Sequence, residues 1–177
     1  MAYFQLNEAV MKESETLELK KSTSELKEGI ISIVSILNKH KKGDLYFGVK
    51  NDGAVVGQTV TENTLREISK TISDNIEPKI FPKINEVVLD SKNCIHVEFS
   101  GEHIPYYAFG RAYIRVGDED RQLSAKEIEK IILEKNKERM AWDKEICKEA
   151  KSSDINTKKL KWFLKSHFPP VYFTGGF

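Results

Sequence analysis

Nine residues near the start of the chain, ESETLELKK at 13–21, place three glutamates and two lysines around two leucines. Carboxylates gathered this closely can hold a divalent cation, which takes two or three hard oxygen ligands and keeps open positions for water and a phosphate. A lysine beside them can offset charge on that phosphate. The spacing sets a condition on any such site. Glu18 and Lys20 share one face of an extended strand, about 7 Å apart by strand rise. Glu13 lies an odd number of residues from Glu18, so a continuous strand would aim it at the opposite face. A bend near Ser14 has to return it before both acids can ligate one ion. The same residues also fit the solvated outer face of an ordinary strand.

GRAYIRVG, at 110–117, is the second chemical candidate. Alternation puts Arg111, Tyr113 and Arg115 on one face and Ala112, Ile114 and Val116 on the other. Two arginines flanking a tyrosine suit a phosphate backbone with room for base stacking. Asp118, Glu119, Asp120 and Arg121 follow, so the local field is mixed. A solvated sheet face or a subunit contact would use the same residue types. KHKKG, at 39–43, places positive charge at a helix C-terminus, where the helix dipole alone accounts for it. PYY, at 105–107, lies between strands and suits core packing or an interface.

Other chemistries find no footing. GxxxxGK[ST] is absent, so the usual phosphate-cradling loop is missing. No nucleophile arrangement of Ser, His and Asp or of Cys and His is recognisable. Cys94 and Cys147 are far apart, the four histidines are scattered, and no zinc-ligand spacing occurs. This usage fits a reducing compartment. The first residues lack a basic start followed by an apolar stretch, and no apolar run approaches the roughly 20 residues that span a bilayer. The expectation is a cytoplasmic protein with no membrane partner. Net charge is +1, but residues 126–165 carry twelve Lys/Arg against eight Asp/Glu. Such an excess either attracts a polyanion or solvates a helix face through Glu–Lys pairs.

The elements that must position these residues follow from periodicity. Residues 15–22 alternate with a period of two, with Leu17 and Leu19 on the buried side of the strand. Ser22 to Glu25 forms a capping signal, and Leu26, Ile30, Ile33, Val34 and Leu37 follow at helical spacing. That helix is expected to stop in His40-Lys41-Lys42-Gly43. DLYFGV is a second strand, Lys50-Asn51-Asp52-Gly53 a tight turn, and AVVGQTV the returning strand. Leu65, Ile68, Ile72 and Ile76 mark another helix, closed by Glu77-Pro78. KINEVVLD and CIHVEFS form a hairpin across Ser91-Lys92-Asn93. Two short strands, IPYYAF and RAYIRVG, precede a capping box at Ser124 to Glu127 and a long polar helix reaching about Glu149. SSDINT reads as a linker, and a short helix carrying Leu160, Trp162, Phe163 and Leu164 ends the chain. The class is α+β: a mixed sheet packed with helices, with a C-terminal helical appendage.

Three stretches occur in this order: ESETLELKKS, LNKHKKGDLYFGVKNDGAVVG and IPYYAFGRAYIRVGDEDRQLSAKEI. Together they resemble the Schlafen-like AlbA domain family, a DNA-binding domain of bacterial transcriptional regulators formerly labelled divergent AAA. The likeness covers roughly residues 10–130. It implies a domain over residues 1–130, with 131–177 as a helical extension. It implies an AlbA-like core, a homo-oligomer such as a dimer, and a nucleic-acid partner, DNA ahead of RNA. Lys20, Lys21, Arg111, Tyr113, Arg115 and Arg121 are the residues expected to meet that partner. The animal Schlafen branch further implies metal-dependent RNA cutting, with Mg²⁺ or Mn²⁺ as the ion. Glu13, Glu18 and Lys20 match that branch's catalytic pattern of two glutamates five apart and a lysine two residues on. A third carboxylate belongs in the turn after the second strand. Asn51 aligns with it, and Asp52 could join Glu13 and Glu18 as a metal ligand only if the turn shifts. That departure favours binding over catalysis, and no cofactor is certain. A third possibility is an assembly domain whose sheet faces bind copies of itself.

Overall fold

A computed structural model describes residues 11–140 and 151–167. The chain divides into two units, residues 1–136 and 137–177. The first unit is built on a four-stranded sheet. Its strands are β1 (Leu17–Lys20), β2 (Lys42–Phe47), β4 (Lys83–Leu89) and β5 (Lys92–Ser100), in the order β1-β2-β5-β4. β1 runs parallel to β2, and the other pairs are antiparallel. The class is α+β, as the alternation of strand and helix patterns implies.

Helix α1 (Leu26–His40) connects the two parallel strands, as a parallel pair requires. It packs Ile30, Ile33, Val34, Ile36 and Leu37 against Leu45 and Phe47 of β2 and Val97 and Phe99 of β5. Helix α2 (Glu62–Asn75) adds Ile68 and Ile72 to the same core. It begins at Thr61, whose side chain accepts the N–H of Thr64.

The left-handed cap of α1 falls two residues before the glycine expected to stop it. Lys41 takes the left-handed capping conformation at φ 66° and donates its N–H to the Leu37 carbonyl. Gly43 instead lies inside β2. A Cβ there would come within 2.7 Å of both Ile36 and the Thr16 carbonyl oxygen, so glycine permits a close approach rather than a stop.

Three further expectations change. The segment AVVGQTV is no strand, apart from one bridge between Val49 and Val55. Gly57 sits at φ 70°, and the N–H groups of Val56 and Gly57 both converge on the Gly48 carbonyl, a bulge-like pattern that interrupts regular pairing. The β4–β5 hairpin turns at Asp90 and Ser91, both at positive φ, one step before the expected turn. An additional strand, β8 (Glu119–Gln122), pairs with β7 (Tyr113–Val116) in a separate ribbon. A second small ribbon joins β3 (Ile76–Glu77) to β6 (Tyr107–Ala108).

Helix α3 (Ala125–Met140) follows β8. Its expected continuation toward Glu149 lies outside the described residues. In the second unit the expected linker holds a short 3₁₀ turn, Ser152–Asp154. Helix α4 (Thr157–His167) leaves Leu160, Trp162 and Phe163 exposed. No helix among the described residues is long and apolar enough to cross a membrane.

Candidate functional site

The register of β1 decides where the acidic stretch points. Glu18 sits opposite Leu45 and Lys20 opposite Phe47, and both partners belong to the core beneath α1. Glu18 and Lys20 therefore occupy the helix-bearing face of the sheet. Leu17 and Leu19 turn to the other face, where Leu19, Val49 and Cys94 form a smaller cluster.

The bend expected near Ser14 is present. The Ser14 hydroxyl accepts the N–H groups of Thr16 and Leu17 at 3.3 and 3.2 Å, and the Ser14 N–H reaches the Leu17 carbonyl at 2.9 Å. This folds Glu13 back along β1, where its Oε1 accepts the Leu19 N–H at 3.3 Å. Burial raises the Glu13 pKa, and the neighbouring Glu18 charge adds to the rise. The Leu19 N–H, Lys20 and Arg115 oppose it.

Glu18 is only 4% exposed, and each of its oxygens faces a cation. Lys20 sits on its Oε1, and the Arg115 guanidinium lies 2.6 Å from its Oε2. The second contact is an ion pair whose angles fall outside hydrogen-bond geometry, since Oε2 has no hydrogen-bonding partner. Arg115 also donates to Asp120 Oδ1 at 2.8 Å and to the Ser14 carbonyl at 3.1 Å. Asp120 Oδ2 takes the Ser32 hydroxyl of α1 at 2.6 Å. The result is a closed polar knot joining β1, α1, β7 and β8. Burial works against the Arg115 charge, but its hydrogen bond to Asp120 and the nearby Glu18 carboxylate hold its pKa above the ordinary arginine value.

These donors do not fit a divalent cation. Both Glu18 oxygens face cations of the protein itself, and Glu13 is committed to the Leu19 amide. Asp52 is exposed in the turn at 50–53, where its Oδ1 accepts the Ala54 N–H at 2.9 Å. Among the described residues no group of three or more ligand-type side chains could hold a metal ion. Asp52 thus does not join Glu13 and Glu18.

The expected basic face is also rearranged. Arg115 is 1% exposed and spent on Glu18 and Asp120. Tyr113 is half-buried, packs against the core, and gives its carbonyl to the Asn38 side-chain amide. Arg121 makes a two-pronged ion pair with Glu127, at 2.8 and 3.2 Å. Arg111 lies outside β7, in a tight turn whose base is the reciprocal bonding of Ala108 and Arg111 at 2.8 and 2.9 Å. Its side chain is exposed and makes no ion pair with any described residue. Lys21 is exposed as well, on the connection from β1 into α1.

Sequence reasoning missed four residues of this region. Ser32 and Asp120 complete the knot from 88 positions apart, and nothing local links them. Asn38, 7% exposed, donates to the carbonyls of Tyr106 and Tyr113 and accepts the Tyr106 N–H. Phe109 occupies the tip of the turn beside Arg111 at φ 51°. A Phe-Gly pair between two short strands was the available signal for that turn.

These features define a class: an α+β sheet domain with a buried ion-pair knot, surface ion pairs, and exposed cations such as Arg111 that make no ion pair among the described residues. The chain belongs to the Schlafen, AlbA_2 family, whose profile matches residues 13–124. No curated protein matches the sequence. Among solved structures, the chain resembles the DIP2311 protein of Corynebacterium diphtheriae, with a TM-score of 0.54 and 13% identity over 67% of this chain. The match spans only 24% of that protein's chain. It also resembles the N-terminal domain of a protein related to the ATP-dependent DNA helicase RecG from Nitrosomonas europaea. There the TM-score is 0.46 and the identity 20%, over 64% of this chain and 86% of that one.

Proposed function

We propose that this domain binds nucleic acid through the phosphate backbone, DNA ahead of RNA, as the binding part of a regulator. The observation that carries the reading is Arg111. Of the three arginines expected at a polyanion, Arg115 and Arg121 are neutralised by carboxylates, while Arg111 is exposed with no ion pair among the described residues. Exposed Lys21 supplies a second charge that makes no ion pair among the described residues. Membership of the Schlafen, AlbA_2 family supports the same partner. Contacts of this kind carry no base code, so binding is weakly specific and strongly salt-dependent.

Fluorescence anisotropy with labelled duplex DNA at low and moderate salt tests this. Affinity falls steeply with salt, and Arg111→Ala lowers the slope of log affinity against log salt by about 0.9, the value of one duplex phosphate contact. Absence of binding at both salts overturns the reading. Binding is also preferred to RNA cleavage because Glu18 is occupied by Lys20 and Arg115. Incubating structured RNA with Mn²⁺ or Mg²⁺, beside Glu18→Ala, checks that preference. Cleavage lost in the variant would reverse it.

A further inference from the structure

Phe109 is an anomaly in three respects. It is a bulky side chain at φ 51°, a region such residues avoid because it costs about 1–2 kcal/mol. It is 39% exposed, so the ring is not placed there to fill the core. It stands at the tip of a two-residue hairpin, where asparagine, aspartate or glycine is usual. The turn itself is firmly held. Ala108 and Arg111 close it from both sides, and the Phe109 N–H donates to the Asn75 carbonyl at the end of α2 at 3.0 Å. Asn38 ties the flanking residues Tyr106 and Tyr113 to α1. A Cβ added at Gly110 would meet nothing within 4 Å, so the tip projects into open space.

The surroundings of the ring are cationic. Lys27 of α1 places its ammonium 5.8 Å from the ring centroid, and exposed Arg111 follows two residues later. The turn exposes Gly110 and Arg111 beside the ring, not further apolar side chains. The tip of the turn itself offers an apolar partner one ring. A nucleotide matches what is offered, since every base has a π face and every phosphate a negative charge.

Resting on the nucleic-acid reading above, we infer that Phe109 is a stacking platform for one unpaired base, with Lys27 and Arg111 holding the adjoining phosphates. The domain then prefers single-stranded or looped nucleic acid over a closed duplex, whose bases are already stacked. A rigid ring on a fixed turn suits this role because little order has to be gained on binding.

The test uses the full chain with two labelled oligonucleotides, one single-stranded and carrying 2-aminopurine, the other its duplex. Phe109→Leu keeps an apolar side chain and the same backbone demand but removes the aromatic face, and Phe109→Tyr restores that face. The wild type and Phe109→Tyr bind the single strand more tightly than the duplex and quench 2-aminopurine. Phe109→Leu binds the single strand about tenfold more weakly, the size of one lost stack, and leaves duplex binding unchanged. Melting curves of all three proteins confirm that each is folded. Equal single-strand affinity in Phe109→Leu and wild type, with salt-dependent binding intact, overturns the stacking platform but leaves the nucleic-acid reading standing. No binding of either oligonucleotide by the wild type overturns both.

Discussion

Arg111 and Arg115 stand four residues apart on what reads as one alternating strand, and their surroundings are opposite. Arg115 is enclosed by Glu18, Asp120 and the Ser14 carbonyl and is 1% exposed. Arg111 is exposed on a turn, without an ion pair among the described residues. The difference arises because β7 begins only at Tyr113. Residues before it belong to the Phe109-Gly110 hairpin, so the period of two does not extend back to Arg111. A charged residue in a strand-like pattern is thus no guide to which charges a partner can reach. The carboxylates that the fold brings alongside decide that.

The sharpest way to break this comparison is to delete each guanidinium in turn. Arg115→Met leaves half-buried Asp120 without its countercharge and buried Glu18 with Lys20 alone, and is expected to cost about 3 kcal/mol of stability, as for removal of one partner of a buried pair. Arg111→Met should stay within about 0.5 kcal/mol of wild type, as for an unpaired surface residue. Urea denaturation of both variants measures the contrast. Similar losses in the two would mean that Arg115 is not in a closed knot.

The next effect concerns the frame that sets the turn apart from the knot. Asn38 joins α1 to both sides of the turn through the backbone of Tyr106 and Tyr113, with bonds of 2.6 to 2.9 Å. Asn38→Ala orphans an N–H and two carbonyls in a buried setting, at a cost of about 3 kcal/mol. Hydrogen exchange at the Tyr106 and Phe109 amides should accelerate in the same variant. Unchanged exchange would show that the turn is held without Asn38.

These residues also mark where sequence reading reached and where it stopped. Alternation in 15–22 matches a strand, helical spacing after a capping signal matches α1, and helical spacing alone matches α2, except that Ile76 lies in β3. Alternation cannot say which face meets the helix. Parallel pairing with β2 settled that by setting Glu18 opposite Leu45, so Glu18 is buried on the helix-bearing face while Leu19 stays buried on the other. Parity requires a bend at Ser14 only if Glu13 and Glu18 share an ion; the bend is present, but it delivers Glu13 to the Leu19 N–H. β8 reads EDRQ and has no apolar periodicity, so nothing local could reveal it. The Ser32–Asp120 bond crosses 88 positions and exists only once α1 and β8 are packed. Asp52 could join as a ligand only if the turn shifts, and an acid in a turn more readily caps a nearby N–H, as it does here at Ala54.

A smaller effect isolates the backbone of the turn from its side chains. Gly110 sits at φ 73° with no neighbour within reach of an added methyl. Gly110→Ala should cost about 1 kcal/mol from the left-handed backbone alone. A loss several times larger in thermal or urea unfolding would mean that the tip is packed rather than open.

The smallest effects are pH-dependent, and they sharpen the division between spent and available cations. Arg121 is counted as spent because it grips Glu127. The Arg121 hydrogen bonds, then those from Ser124, pull the Glu127 carboxyl from 4.5 to about 2. A depressed carboxyl stabilises the folded state above its unfolded value, and that contribution is lost as pH falls from 4.5 through about 2. Glu13 has the opposite sign. Its folded pKa is raised above 4.5 by burial and by Glu18, so stability declines as pH climbs through the raised value. Glu13→Gln keeps an oxygen for the Leu19 N–H and should remove that decline, making the protein slightly more stable at neutral pH. Carboxyl-detected NMR titration reads both groups at once. Glu127 should titrate near 2 in wild type and return toward 4.5 in Arg121→Gln, while Glu13 should titrate above 4.5 in both. The Glu127–Arg121 pair is exposed and open to screening by salt, so its effect on stability is the least of those considered. If Glu127 titrates near 4.5 with Arg121 intact, the pair does not persist in solution. Arg121 would then join Arg111 among the cations free to meet a phosphate, and the salt slope of DNA binding should fall in Arg121→Gln as it does in Arg111→Ala.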